Sequence, residues 1–285
     1  MKVGLIGIGY WGKIILKTLK FLGVKDITIC DPTLVNQTHY ESHPVEPDYT
    51  KLPKLDVVFI IVPATLHYKI CSYFLFQGVD VFCEKPLTVD TQEAKRLYHI
   101  ARENKCNLMT DWLFTYNPQI QQLKDDYTAG TLGEIRSVHM NRLNSGPART
   151  DVNARWDLAS HDVSILQYLF DQQVMRAEWI DYRRNPTSYQ EDSALGHIEY
   201  TNFVAIINAS WEYRDKIRDC VFEFDKTFVT WDDNKKSLHY SHEGQQPPAD
   251  TQSPLNISIK QFLNKEYDMS ADERLTHSII QTLSI

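Results

Sequence analysis

The sequence predicts an α/β protein: a doubly wound parallel sheet at the N-terminus, then an α+β part with a large, mostly antiparallel open sheet. Three observations carry that expectation. The chain opens with an apolar run of strand character, Val3 to Ile6, which enters Gly7-x-Gly9-x-x-Gly12 and then a stretch with Ile15, Leu19 and Leu22 at helical spacing. Strand and helix patterns alternate from there to about residue 118, as they do where crossover helices join parallel strands. Beyond that point strand patterns follow one another through hairpin-length links, which makes an antiparallel sheet.

The glycine turn is the most informative element. Between a strand and a helix, Gly7 permits a tight turn, Gly9 lets a pyrophosphate approach the backbone and Gly12 lets the helix sit close on the strand. The helix N-terminus adds unpaired N–H groups and a positive dipole end for phosphate. A Rossmann dinucleotide-binding domain is therefore expected over residues 1–118, with a substrate-binding and oligomerisation domain over 119–285. The second strand, Asp26 to Cys30, ends at Asp31, about twenty residues past the glycines. A carboxylate there accepts from both ribose hydroxyls and repels a 2′-phosphate, so NAD is expected over NADP. The plainer alternative is that Asp31-Pro32 only ends a strand.

Val57 to Val62 is a continuous β-branched run, the pattern of a parallel strand buried on both faces. It stops at Pro63, and a helical pattern follows through His67, Ile70, Phe74 and Leu75. Val79 to Cys83 is the next strand, with Glu84-Lys85-Pro86 at its carboxyl end. Thr88 or Asp90 caps a helix reaching about Asn104, and Asn107 to Thr110 is a further strand. Ligands of such sheets lie outside the carboxyl ends of the strands. Pro63, Glu84 and Lys85 are expected there, and Tyr10, Trp11, Val62 and His67 are assigned to the same cofactor crevice.

In the second half a helix over 118–129 leads into Gly130-x-x-Gly133. Strands are expected at 135–141, 174–183, 193–200, 203–211, 219–225, 227–232 and 237–242, with a helix at 158–170. Residues 243–250 read as a mobile loop.

Bulk properties narrow the partners. A length of 285 residues suggests two domains, and 42% hydrophobic with 24% charged residues is ordinary for a globular protein. A net charge of -7 argues against a nucleic-acid or membrane-surface partner, since both want a basic face. The 5 cysteines show no metal-ligand spacing, so no metal is expected and they read as reduced, mostly buried thiols. No apolar stretch approaches the ~20 residues that span a bilayer. The chain starts in its first strand, which leaves no room for a targeting segment, so a cytoplasmic location is expected.

An ordered set of motifs remains: Gly7-x-Gly9-x-x-Gly12, Pro63-x-x-x-His67, Glu84-Lys85-Pro86, Tyr116-Asn117-Pro118, Gly130-x-x-Gly133 and Asp157-x-x-x-His161-Asp162. This set resembles the Gfo/Idh/MocA oxidoreductases, the family of glucose-fructose oxidoreductase and inositol dehydrogenase. The resemblance implies NAD(P)-dependent hydride transfer to or from a secondary alcohol or ketone of a sugar, and assembly into dimers or tetramers through the open sheet. The segment from Arg142 to Leu158 resembles a subgroup found among nucleotide-sugar modification genes, which implies a nucleotide-sugar substrate. Two departures stand out. Leu158-Ala159-Ser160 fills a space where many relatives carry a glycine, and the chain stops after Leu275, Ile279 and Leu283, where longer relatives continue.

Hydride transfer from an alcohol needs a base for the hydroxyl proton and a group that stabilises the nascent alkoxide. His161 is the expected base, because an imidazole titrates near neutrality. Asp157 precedes it by four residues, so on a helix both project from one face and the carboxylate can orient the ring. Lys85 brings a cation to the substrate oxygen, and the three together match the catalytic Lys, Asp and His that the resemblance implies. Each has a plainer alternative: Asp157 as a helix N-cap, His161 as a satisfied interfacial histidine, Lys85 as a snorkelling surface residue. Arg142, Arg149 and Arg155 lie on the loop expected before this helix, where guanidinium forks suit a phosphate or carboxylate. Arg142 and Arg149 are accordingly expected, with Lys85, Asp157 and His161, to bind the substrate. Two rival functions stay open: an NAD-dependent glycosidase working through transient oxidation, and a non-catalytic dinucleotide sensor or interaction protein.

Overall fold

A computed structural model describes residues 1–146, 149–241, 244–246 and 252–285. The chain forms two compact units, Met1–Asp111 with Leu255–His277, and Trp112–Pro254 with Ser278–Ile285. A single cut at 118 would have placed the last helices wholly in the second unit; residues 255–277 instead complete the first.

The N-terminal unit holds strands β1 (Lys2–Ile6), β2 (Asp26–Cys30), β5 (Val57–Ile60), β6 (Asp80–Cys83) and β7 (Leu108–Thr110) in the order β2-β1-β5-β6-β7. All four pairings are parallel. The short strands β3 (His39–Tyr40) and β4 (His43–Pro44) pair with each other. Every residue of β5 is buried, as its unbroken apolar run requires. Helices α1 (Tyr10–Phe21), α2 (His67–Leu75) and α3 (Thr91–Glu103) supply the crossovers. Asp90 caps α3 by accepting from the backbone N–H groups of Gln92 and Glu93. The chain reverses direction of travel at β1, so the crevice opens beyond the carboxyl ends of β1 and β5.

Helix α6 (Pro254–Asn264) joins this unit by burying Phe262 edge-on against Phe59 and Phe82, at 5.9 and 5.4 Å between ring centroids. Helix α7 (Met269–Ser284) follows, its first half in this unit. There Asp272 accepts hydrogen bonds from Tyr98 Oη at 2.6 Å and the Thr110 N–H at 3.1 Å. Burial pushes the Asp272 carboxyl up to about 7, against the pull of those donors. The folded state thus keeps a proton that the unfolded chain releases above about pH 4. The proton's contribution to stability is complete below that pH and declines until it is lost above about pH 7. Asp272→Asn cannot ionise, so the gap in melting temperature between variant and wild type should move in the variant's favour by several degrees from pH 5 to pH 8. A gap that stays constant with pH would refute the assignment.

In the C-terminal unit, α4 (Pro118–Thr128), β8 (Ile135–Ser145), a π-helical turn (Arg155–Ala159) and α5 (Ser160–Phe170) precede strands β9 (Val174–Tyr182), β10 (Ser193–Tyr200), β11 (Val204–Ser210), β12 (Glu212–Phe224), β13 (Phe228–Asp232), β14 (Ser237–Tyr240) and β15 (Gly244–Gln246). The sheet order is β15-β14-β13-β12-β8-β11-β10-β9. Only β11 and β8 run parallel; the other pairs are antiparallel. Helix α5 covers the face on which Val138, Met140 and Arg142 of β8 stand opposite Phe222, Cys220 and Arg218 of β12.

Three expectations change here. Strand β8 continues to Ser145, so Arg142 belongs to a strand and not to a loop. Strand β12 begins at Glu212 instead of 219. Residues 244–246 form β15 inside the segment expected as a mobile loop, and the rest of that segment lies outside the described residues. In the first two cases polar residues occupy strands, β8 and β12, that pair with each other across a long separation in sequence, whereas β15 pairs with the neighbouring β14.

All five cysteines are buried free thiols. Burial pushes Cys30 up to about 12 and Cys106 up to about 11, which disfavours thiolate at neutral pH. Among the described residues no group of three or more His, Cys, Asp or Glu could hold a metal ion. Among them, no helix is long and apolar enough to cross a membrane.

Candidate active site

The glycine turn follows β1 as its spacing demands. Gly7 adopts φ +92, and a Cβ there would stand 2.0 Å from the Ile61 carbonyl oxygen. A Cβ on Gly12 would stand 2.1 Å from the oxygen of Gly7. Both positions are closed to any other residue by backbone, the first by conformation as well. Gly9 differs: a Cβ there meets nothing within 4 Å. The backbone at Gly9, the residue before α1, is thus bare toward open space at the helix N-terminus, which suits a pyrophosphate. Tyr10 is exposed and Trp11 half-buried at the start of α1.

Asp31 closes the same turn. Its Oδ2 accepts from the Ile8 N–H at 2.9 Å, and its Oδ1 from the Thr33 N–H at 2.9 Å and hydroxyl at 2.6 Å. Partial burial raises this carboxyl, but the Ile8 and Thr33 donors outweigh it and hold the group below its ordinary range. The residues present therefore fit an NAD: a bare glycine at a helix N-terminus and a carboxylate kept ionised at the end of β2. Asp31→Ser should lower the preference for NAD over NADP at least about tenfold, or about 1.4 kcal/mol, in paired binding titrations. An unchanged ratio would mean that the carboxylate serves the turn alone.

Val62 and Pro63 follow β5, the first half-buried and the second exposed. Glu84 and Lys85 follow β6, where the Glu84 N–H donates to the Ile60 oxygen at 3.0 Å. Lys85 is 8% exposed, which removes the snorkelling alternative. His67, expected in the cofactor crevice or in a structural role, is 1% exposed, with Nδ1 2.8 Å from the Pro86 oxygen and Nε2 2.9 Å from the Val62 oxygen. The imidazole ties together the two turns that carry Val62 and Lys85. A neutral ring has one N–H and can serve one carbonyl; serving both takes imidazolium.

Sequence reasoning missed Asp111, which follows β7 and is 1% exposed. Burial pushes its carboxyl well up, Glu84 adds to the rise and Lys85 pulls it back. Its position after a strand of the same sheet was the available signal.

In the C-terminal unit Asp157 and His161 lie on consecutive turns of one helical segment. The first is π-helical, an irregularity common at functional sites. Asp157 is not a capping residue: its Oδ2 accepts from Trp211 Nε1 at 3.0 Å, and Arg149 Nη1 approaches Oδ1 at 3.5 Å. Trp211 carried no sequence signal, because it comes from the strand region some fifty positions away. His161, half-buried on α5, meets the ring of Phe114 at 5.0 Å.

The three arginines separate by exposure. The Arg149 side chain is 38% exposed and forks onto Asp151 at 2.9 and 2.7 Å. Arg155 is 17% exposed and pairs with Asp181 at 2.9 Å. Arg142 is 2% exposed and pairs with Asp162 at 2.7 Å. Arg142, expected on a loop to contact the substrate, is instead buried in the core of its unit.

A Rossmann unit with a bare glycine turn, joined to an open-sheet α+β unit bearing an Asp–His pair, defines a dinucleotide-binding protein of the two-domain oxidoreductase class. The sequence matches the description "Oxidoreductase family, NAD-binding Rossmann fold" over residues 1–112 and the GFO/IDH/MocA C-terminal domain over residues 120–226. The chain belongs to the Gfo/Idh/MocA family. It is 38% identical over 100 residues to a dTDP-3,4-didehydro-2,6-dideoxy-alpha-D-glucose 3-reductase of Actinomadura kijaniata, a match covering 34% of this chain and 30% of that protein. It is 28% identical over 198 residues to a UDP-N-acetylglucosamine 3-dehydrogenase of Acidithiobacillus ferrooxidans, covering 68% of this chain and 60% of that protein. The matches thus span less than two thirds of these relatives' lengths. The fold is that of the WlbA dehydrogenase from Bordetella pertussis, solved with NADH and UDP-GlcNAcA, at TM-score 0.86, 17% identity and coverage of 100% of this chain and 93% of that one.

Proposed function

We propose that the protein is an NAD-linked dehydrogenase or ketoreductase acting on a secondary alcohol or ketone of a nucleotide-linked sugar. The observation that carries the reading is the Asp157–His161 segment, whose carboxylate is held by Trp211 while the imidazole stays half-buried and within reach of solvent. NAD held on the Gly9 turn beside Asp31 would supply the hydride acceptor. His161 takes the hydroxyl proton in oxidation and returns it in reduction. Asp157 stabilises the imidazolium so formed, and Lys85 stabilises the alkoxide by its charge. The relatives named above act on dTDP- and UDP-linked sugars by their names, which favours a nucleotide-sugar over a free polyol here. Arg149, the most exposed of the three arginines, is the residue proposed to meet the diphosphate, releasing Asp151 as it does so.

The test is cofactor reduction by the purified protein, with NAD and NADP in parallel, against UDP- and dTDP-hexoses, free hexoses and myo-inositol. Reduction with nucleotide-sugars is the expected result; turnover of the free polyols alone would overturn the substrate class. Bond cleavage without net NADH would favour the glycosidase reading. Absence of any turnover despite NAD binding would favour the sensor.

The outer face of the C-terminal sheet, where Ile180 is 64% and Leu195 40% exposed on adjacent strands, is the proposed homo-oligomer surface. Sedimentation should give a dimer or tetramer, and Ile180→Glu should shift it toward the monomer.

A further inference from the structure

A layer of packed side chains lies behind His161. Asp162, the next residue on α5, faces the sheet and receives the Arg142 guanidinium in a fork. Nε donates to Oδ1 at 3.0 Å and to Oδ2 at 3.2 Å, and Nη2 donates to Oδ1 at 2.7 Å. Burial pushes the Asp162 carboxyl up, and Arg142 pulls it back. Removing both ions from water costs several kcal/mol, and an apolar pair of like size would generally hold a fold as well. What the fork adds is direction. Successive α-helical residues leave the axis about 100° apart, so fastening Asp162 to β8 sets the direction in which His161 projects.

The fork leaves Arg142 Nη1 with no hydrogen-bond partner among the described residues. The guanidinium instead lies 4.5 Å from the centroid of the Phe114 ring, whose face attracts a cation. Phe114 sits on the turn Leu113–Tyr116. It meets the His161 ring at 5.0 Å and 81°, and the Trp231 ring at 5.7 Å and 80°. Trp231 is fixed in turn, its Nε1 donating to Gln119 Oε1 at 2.9 Å.

We propose that Phe114 is a positioning residue for His161, held between the buried Arg142–Asp162 pair and Trp231. The proposal rests on the reading of His161 as the proton acceptor. Proton transfer demands placement within a few tenths of an ångström, and an imidazole turns on two soft torsions. A rigid ring packed on its flank, itself anchored by a permanent cation, removes the rotamers that would carry His161 off target.

Phe114→Leu tests this with two readouts. In protein carrying ¹³C-labelled histidine, the His161 ring signal is assigned by its loss in His161→Ala. Phe114→Leu should raise the internal motion of that signal severalfold while leaving half-buried His197, on β10, unchanged. With UDP-N-acetylglucosamine and NAD as the probe pair, Phe114→Leu should lower kcat about 10- to 100-fold. The same change made on top of His161→Ala should cost less than about twofold, because a residue acting only through His161 has nothing left to position. Wild-type ring motion in Phe114→Leu, or an equal loss in both backgrounds, would overturn the proposal. Full turnover in His161→Ala would instead sink the acid–base reading and leave the ring-motion result to stand by itself. Should Phe114→Leu fail to fold, Phe114→Met, whose flexible side chain fills irregular core space more readily, carries the same expectations.

Discussion

His161→Ala should lose roughly 10²–10⁴-fold in turnover while binding NAD as the parent protein does. The asymmetry follows from the two units. The cofactor is expected on a glycine turn and a carboxylate within Met1–Asp111, whereas His161 stands on α5 of the other unit. Loss of the imidazole leaves the hydroxyl proton without an acceptor, so either the alcohol must ionise to water or hydride must leave it still protonated and build positive charge on the carbonyl oxygen. Stopped-flow turnover with titration of NAD fluorescence quenching separates the two quantities. Equal loss of NAD affinity would show that the residue supports the fold, and unchanged turnover would remove it from the chemistry.

Gly9→Ala and Gly12→Ala should fail in opposite ways. At Gly9 a methyl group meets no protein atom within 4 Å, so stability should fall by less than about 1 kcal/mol, the ordinary difference between these residues before a helix. The methyl would nonetheless stand in the space a pyrophosphate needs, and NAD affinity should fall at least about tenfold. At Gly12 the methyl would meet the Gly7 carbonyl oxygen at 2.1 Å, which backbone cannot yield cheaply. There the expected loss is about 1–3 kcal/mol in thermal or urea unfolding, with NAD affinity falling as a consequence. Weakened unfolding in Gly9→Ala with intact NAD binding would reverse the roles assigned to the two glycines.

Sequence patterning was most informative where structure is local. The strand–turn–helix opening, a cap at Thr88 or Asp90 (Asp90 in the structure) and the buried run at Val57 each follow from a few neighbouring residues, because backbone sterics and hydrogen-bond demand act over single turns. The four-residue spacing of Asp157 and His161 was equally readable, although the π-helical turn beneath it was not. Patterning misplaced Arg142, because a charged residue in a strand is unintelligible without its counter-ion. Asp162 lies twenty positions away, and only the packing of α5 on β8 brings the two together.

What the sequence by itself determined is the parallel α/β opening, the glycine positions that no other residue can fill, the acid after β2 and the family. Tertiary structure alone decided that His67 braces two turns, that Trp211 holds Asp157, that Arg142 is interior and that residues 255–277 complete the first unit. The division has one physical cause. Turn geometry and capping are settled within a few residues, whereas the partner of a buried charge or an aromatic ring is set by which distant segments the fold packs together.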